Sequence, residues 1–187
     1  IDGKVVTVLK LDKTNNSSDG LYEGGKIAEN VKMKDVKIPD TVTEIGARTF
    51  EDNNLEHINL PTQLISIGRS AFQQNQLKEI SIPDTVTTIG QRAFEKNEIE
   101  TLRLSQNLTR IETFTFADNE IKSIEIPEGV TFIGDRAFMN NQATKIEIPS
   151  TVTTMEEGAF IQNNMEEIIY GRTQKGEEDK TVINSYA

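Results

Sequence analysis

Few side chains in this sequence of 187 residues could carry out chemistry, and their types are restrictive. There is one histidine, His57, and no cysteine, which removes disulfides, thiolate metal sites and Cys nucleophiles together. A Ser-His-Asp arrangement would have to use His57, and no G-x-S-x-G elbow surrounds any serine. Asp12, Thr14, Asn16 and Glu23 fall at positions 1, 3, 5 and 12 of a calcium-loop template, but Ser17 stands where the turn glycine belongs. His57 reads as a surface histidine. No metal, cofactor or catalytic set is expected, and the chain reads as a non-enzyme.

Charge limits the partners. Lys and Arg number 20 against 30 Asp and Glu, for a net charge of −10, which sets the surface against phosphate backbones and anionic lipid. Nucleic acid is not expected as a partner. No apolar run approaches the roughly 18 to 20 residues that span a bilayer, so membrane insertion is not expected either. The chain begins at Ile1 rather than Met, which reads as a piece of something longer.

The elements that must position these side chains are set by an internal repeat. Prolines fall at 39, 61, 83, 127 and 149, and Ser105 fills the gap, so every step is 22 residues. With that residue as position zero, position 3 is Val42, Leu64, Val86, Leu108, Val130 and Val152, and position 6 is Ile45, Ile67, Ile89, Ile111, Ile133 and Met155. Position 11 is Phe50, Phe72, Phe94, Phe116, Phe138 and Phe160; position 14 is Asn53, Asn75, Asn97, Asn119, Asn141 and Asn163. The segment L-x-x-I-x-I at positions 16 to 21 alternates at period two and predicts a strand, and V-x-x-I-G predicts a second extended piece. G-x-x-A-F-x-x-N predicts one helical turn, ended by its Asn in the left-handed conformation. No 22-residue unit can enclose its own apolar face, so about seven units must stack around one core. The Phe column is expected as core, with its rings stacked, and the Asn column as a ladder between backbones. One coil departs from the pattern: Ser105, Glu112 and Thr115 replace Pro, Gly and Ala, and a bend or wider coil is expected there.

The consensus P-x-x-V-x-x-I-G-x-x-A-F-x-x-N-x-L-x-x-I-x-I resembles the BspA-like leucine-rich repeats, whose L-x-x-I-x-I-P-x-x-V-x-x-I-G-x-x-A-F pattern is matched by Leu77 to Phe94 and by Ile121 to Phe138. The resemblance covers residues 33 to 170 and implies an α/β fold: a right-handed leucine-rich-repeat solenoid with a parallel β-sheet and short helical turns. Residues 1–32 are expected as an N-terminal capping segment, 33–170 as the array, and 171–187 as a C-terminal cap or linker. Val5 to Leu9 within the first segment read as a strand. The resemblance further implies a bacterial cell-surface or secreted protein, extracellular, that binds a protein or other macromolecular ligand of host or matrix. The alternatives are a non-catalytic ancillary domain of a secreted enzyme and a passive spacer.

In such repeats the strand positions between core residues, here 18 and 20, project from the sheet as the usual binding surface. The candidate partner-binding residues are therefore His57, Glu79 and Lys145 at position 18, and Asn59, Ser81, Arg103, Glu125 and Glu147 at position 20. Arg103 is the one side chain of typical hot-spot type among them. Position 9 places Arg48, Arg92 and Arg136 two coils apart, and pairing with neighbouring carboxylates is expected. Position 4 carries threonine in five of six coils; stacked threonines occur on ice-binding solenoids, but cross-strand hydroxyl bonding is the simpler reading. A monomer is expected.

Overall fold

The computed structural model describes residues 6–7, 34, 36–172 and 181–182. Short strands recur in chain order: β1 (Val6–Thr7), β2 (Val36–Lys37), β3 (Glu44–Ile45), β4 (Ser66–Ile67), β5 (Glu79–Ser81), β6 (Thr88–Ile89), β7 (Thr101–Arg103), β8 (Arg110–Ile111), β9 (Ile124–Glu125), β10 (Phe132–Ile133), β11 (Lys145–Pro149), β12 (Thr154–Met155), β13 (Glu167–Arg172) and β14 (Thr181–Val182). From β3 to β12 pairing is parallel with partners 22 residues apart, as in Ser81 with Arg103 and Ile67 with Ile89. The strands at positions 5 and 6 form one ladder and those around positions 18 to 20 another, giving a parallel-strand solenoid of about six turns. β1 lies within the stretch read as a strand and pairs with β2, while β14 runs antiparallel to β13. Most of the two segments expected as caps, including the calcium-loop template at Asp12 to Glu23, lies outside the described residues.

The expected helical turn is not there: the described residues contain no helix. The cause lies in the backbone of G-x-x-A-F-x-x-N. Positions 9 and 13 are both left-handed in every coil, from Arg48 (φ 60°) and Asp52 (φ 55°) to Gly158 (φ 66°) and Gln162 (φ 58°). Two left-handed residues four apart cannot propagate a right-handed helix. They produce two successive tight turns, closed for example by Ala71 N donating to Gly68 O and Gln73 N to Ser70 O. The residue in the left-handed conformation is the one before each Asn, not the Asn itself, so that expectation is corrected as well.

Between these turns the backbone is held by bonds along the solenoid axis. The N–H groups at positions 9, 11 and 13 donate to the carbonyls at positions 8, 10 and 12 of the following coil. Phe50 N to Ala71 O (2.8 Å), Phe72 N to Ala93 O (2.8 Å) and Phe94 N to Thr115 O (2.9 Å) are successive members. The pattern continues through Phe138 N to Ala159 O (2.8 Å) without a break. An unpaired buried amide costs roughly 1 to 3 kcal/mol, so this continuous pairing over-determines a backbone that most residue types would avoid.

Behind this wall the phenylalanines stack as expected, with neighbouring ring centroids 5.2 to 5.5 Å apart and planes within 17° of parallel. Phe50 through Phe138 are buried, and Phe160 at the end is half-buried. Each interior Asn ties two coils together. Asn97 accepts from Leu77 N (3.2 Å) and donates to Phe72 O (2.9 Å) and Phe94 O (3.2 Å). Asn75, Asn119 and Asn141 repeat the pattern. Position 7 explains its glycine by contact: a Cβ on Gly90 would sit 2.5 Å from Arg69 N of the preceding coil, closer than any side chain tolerates. The threonine column bonds backbone, with the Thr131 and Thr153 hydroxyls donating to the carbonyls of Thr109 and Thr131.

The coil from Ser105 to Ile126 breaks both strand ladders on the same side. β6 is not paired to β8, and β7 is not paired to β9, although the turn wall crosses this junction intact through Arg92, Phe94 and Lys96. Ser105 replaces proline as a buried hydroxyl donating to Val86 O (2.6 Å), and Thr115 Oγ1 donates to Glu112 O (2.7 Å). Glu112 brings a Cβ where Gly68, Gly90 and Gly134 leave no room for one. Glu156 stands in the same column with its ladder to β10 intact, and Thr49 at position 10 bonds Gly46 O as Thr115 bonds Glu112 O while β3 stays paired to β4, so neither side chain alone breaks the pairing. The other interruption in the second ladder lies between Asn59, which bridges to Lys37, and β5.

Candidate functional site

The period of 22 brings the eight candidate residues onto one face. Position 19 of each strand turns inward, as Ile80, Ile124 and Ile146 do, and positions 18 and 20 turn outward. His57, Asn59, Glu79, Ser81, Arg103, Glu125 and Lys145 are exposed, and Glu147 is half-buried. Outward side chains 22 residues apart become direct neighbours across the parallel pairs: Glu79 with Thr101, Ser81 with Arg103, and Glu125 with Glu147.

Four of the eight are gathered into one shallow, open groove of about 400 Å³, lined by Asn59, Glu79, Ser81 and Arg103 together with Ile58, Leu60, Ile80, Pro83 and Thr101. The groove lies over the junction where Asn59 and β5 do not pair. It combines an apolar floor with amide, hydroxyl, carboxylate and guanidinium groups. Residues at positions 19 and 21 are expected as core, and in this coil Ile58 and Leu60 are only half-buried. Their exposure follows from the unpaired strands, which the repeat pattern does not announce. His57 is exposed nearby but does not line the groove.

Arg103 is already engaged. Its Nη2 donates to both oxygens of Asp84 (3.0 and 2.9 Å) and its Nη1 to Ile82 O (3.0 Å). Asp84 also accepts from Gln106 N (2.9 Å). That backbone donor, with the guanidinium, holds the Asp84 carboxyl below its ordinary pKa. Arg103 therefore lines the groove as a paired cation. Lys145 lies between Glu147 (3.2 Å) and Glu167 (3.3 Å), which raise its pKa, so Lys145, Glu125 and Glu147 form a second cluster away from the groove. Position 17 alongside alternates Lys34, Glu56, Lys78, Glu100 and Lys122, with Lys34 paired to Glu56 and Lys122 to Glu100. On the turn side, Arg48 pairs with Glu51, Arg92 with Glu95 and Arg136 with Asp135, at 2.7 to 2.8 Å. Arg92 also lies over the Phe114 ring at 4.2 Å, so this column is satisfied within the chain.

Among the described residues no three His, Asp or Glu side chains come together as a metal set, and no helix is long and apolar enough to cross a membrane. A search among curated proteins finds no match to the chain. Solved structures do match in fold. One is a leucine-rich cell surface protein from Faecalibacterium prausnitzii, 24% identical with a TM-score of 0.50 over 74% of this chain and 54% of that one. Another is the pneumococcal vaccine antigen PcpA, 16% identical with a TM-score of 0.53 over 73% of this chain and 46% of that one. The chain thus spans about half the length of these structures. The model of the BspA type leucine-rich repeat region matches residues 26–143 and 88–185, in six copies. With its 22-residue period, its parallel ladders and this match over most of its length, the chain belongs to the BspA-type leucine-rich-repeat family.

Proposed function

We propose that the chain is a recognition module of a bacterial cell-surface or secreted protein, which binds a protein or other macromolecular partner through the strand face. The observation that carries this reading is the groove over the unpaired junction. Isoleucine, leucine and proline side chains are left partly uncovered there beside fixed polar groups, the mixture that interfaces use at their centres. The remainder of the strand face, with Lys145 between two carboxylates, is the polar surround. Surface localisation rests on the family and on the likeness to the Faecalibacterium cell surface protein.

The test fills the groove without touching the core. Glu79 and Ser81 are exposed on β5, so Ser81→Arg and Glu79→Lys should shift stability by no more than about 0.5 kcal/mol. Capture of matrix and serum proteins by the wild type should fall with the double variant, and Glu51→Lys on the turn side should capture as the wild type does. Equal capture by all three proteins would remove the strand-face reading and leave the spacer and enzyme-ancillary roles ahead.

A further inference from the structure

Every interior junction of the turn wall is made in the same way: three N–H groups of one coil, at positions 9, 11 and 13, meet three carbonyls of the next, and one phenylalanine ring stacks on another. At the last coil the same three donors belong to Gly158, Phe160 and Gln162, and none has an acceptor among the described residues. Phe160 stacks on Phe138 at 5.5 Å on one side and, among the described residues, has no ring on the other. Of the three most exposed large apolar side chains among the described residues, two, Met155 (42%) and Ile161 (52%), stand on this coil. The neighbouring ladder is closed at this end by antiparallel β14. Among the described residues the turn wall has no such closure.

We propose that the turn face of the last coil, from Gly158 to Gln162, is a docking site for a further polypeptide turn of the G-x-x-A-F-x-x-N kind. That turn would supply three carbonyls in a row and a phenylalanine ring. Three parallel donors spread along one turn match a row of carbonyls rather than a single anion, and the exposed Ile161 and the free face of Phe160 require apolar cover. A second copy of this chain does not fit. The same face on a second copy offers donors to donors, and at the opposite end the ring and middle residue that would have to meet it, Phe50 and Thr49, are buried. This site is separate from the strand face and does not depend on it.

The experiment is an amide exchange titration of the whole chain, using as probe a synthetic peptide with the sequence of residues 127–148. At about ten times its dissociation constant the peptide should slow exchange at Gly158, Phe160 and Gln162 on the order of tenfold. The same peptide with Ala in place of Phe138 should have little effect, and Ser81→Arg in the protein should leave the result unchanged. No protection at these three amides, equal protection by both peptides, or protection that arises without peptide through self-association would each overturn the proposal.

Discussion

The turn wall and the strand ladders share one period and one core, yet they behave differently along the axis. The wall repeats its three backbone bonds, its stacked ring and its Asn link at each junction. The ladders are divided, twice along the strand face and once on the other side. The difference tracks the sequence. Phe and Asn, the two columns that do not vary, belong to the wall, whereas positions 18 and 20 of the strand face change type from coil to coil. A solenoid whose cohesion resides in one wall leaves the other free to vary its surface, and local opening of a ladder junction creates the groove at Ile58, Ser81 and Arg103.

This contrast can be broken first at the ring stack. Phe94 is fully buried between Phe72 and Phe116, so Phe94→Ala should cost roughly 3 to 5 kcal/mol, read as a lowered urea midpoint. A midpoint equal to wild type would show that the wall does not hold the array. Next in size is Asn97→Ala, which strands the buried Leu77 N and removes one of the two amide donors on each of Phe72 O and Phe94 O, leaving those from Asn75 and Asn119. A loss of roughly 2 to 3 kcal/mol is expected. Asn97→Asp should rescue little of it, because a carboxylate restores the acceptor for Leu77 N but sets a buried anionic oxygen against the Phe72 and Phe94 carbonyls. The smallest effect sharpens the comparison from the ladder side. Glu112→Gly restores the position-7 glycine and should raise stability by no more than about 1 kcal/mol. It should also slow amide exchange around β8; unchanged exchange there would assign the interruption to Ser105 and Thr115.

Much of this was legible in the residues themselves. A period of 22 with fixed Phe and Asn columns predicts stacked coils, ring stacking and an Asn ladder, and all three are present. The position-9 arginines are paired with nearby carboxylates, as their acidic surroundings predict. The left-handed turns were barely legible: Asp52, Asp118, Asn140 and Gly158 are types that accept a positive φ, but Arg48, Ser70, Arg92, Phe114, Arg136, Gln74, Lys96 and Gln162 in the same two columns are not. Their conformation is imposed by hydrogen bonds to the next coil, a non-local term that a local helix reading omits. The groove was half legible. Alternation selects Asn59, Glu79, Ser81 and Arg103 as outward, but the exposure of Ile58 and Leu60 depends on an unpaired junction. The commitment of Arg103 depends on Asp84, which lies 19 residues earlier and comes alongside only when the coils stack.

The most direct test of the account is residue-resolved hydrogen exchange at the junction between the coils 83–104 and 105–126. The amides of Arg92, Phe94 and Lys96, which donate across this junction, should be as protected as those of Ser70, Phe72 and Gln74 one coil earlier. The amides around β8 and β9 should exchange well before those around β4 and β11. Equal protection of both walls at this junction, or faster exchange of Phe94 than of β8, would contradict the claim that the turn wall holds the array together where the strand ladders part.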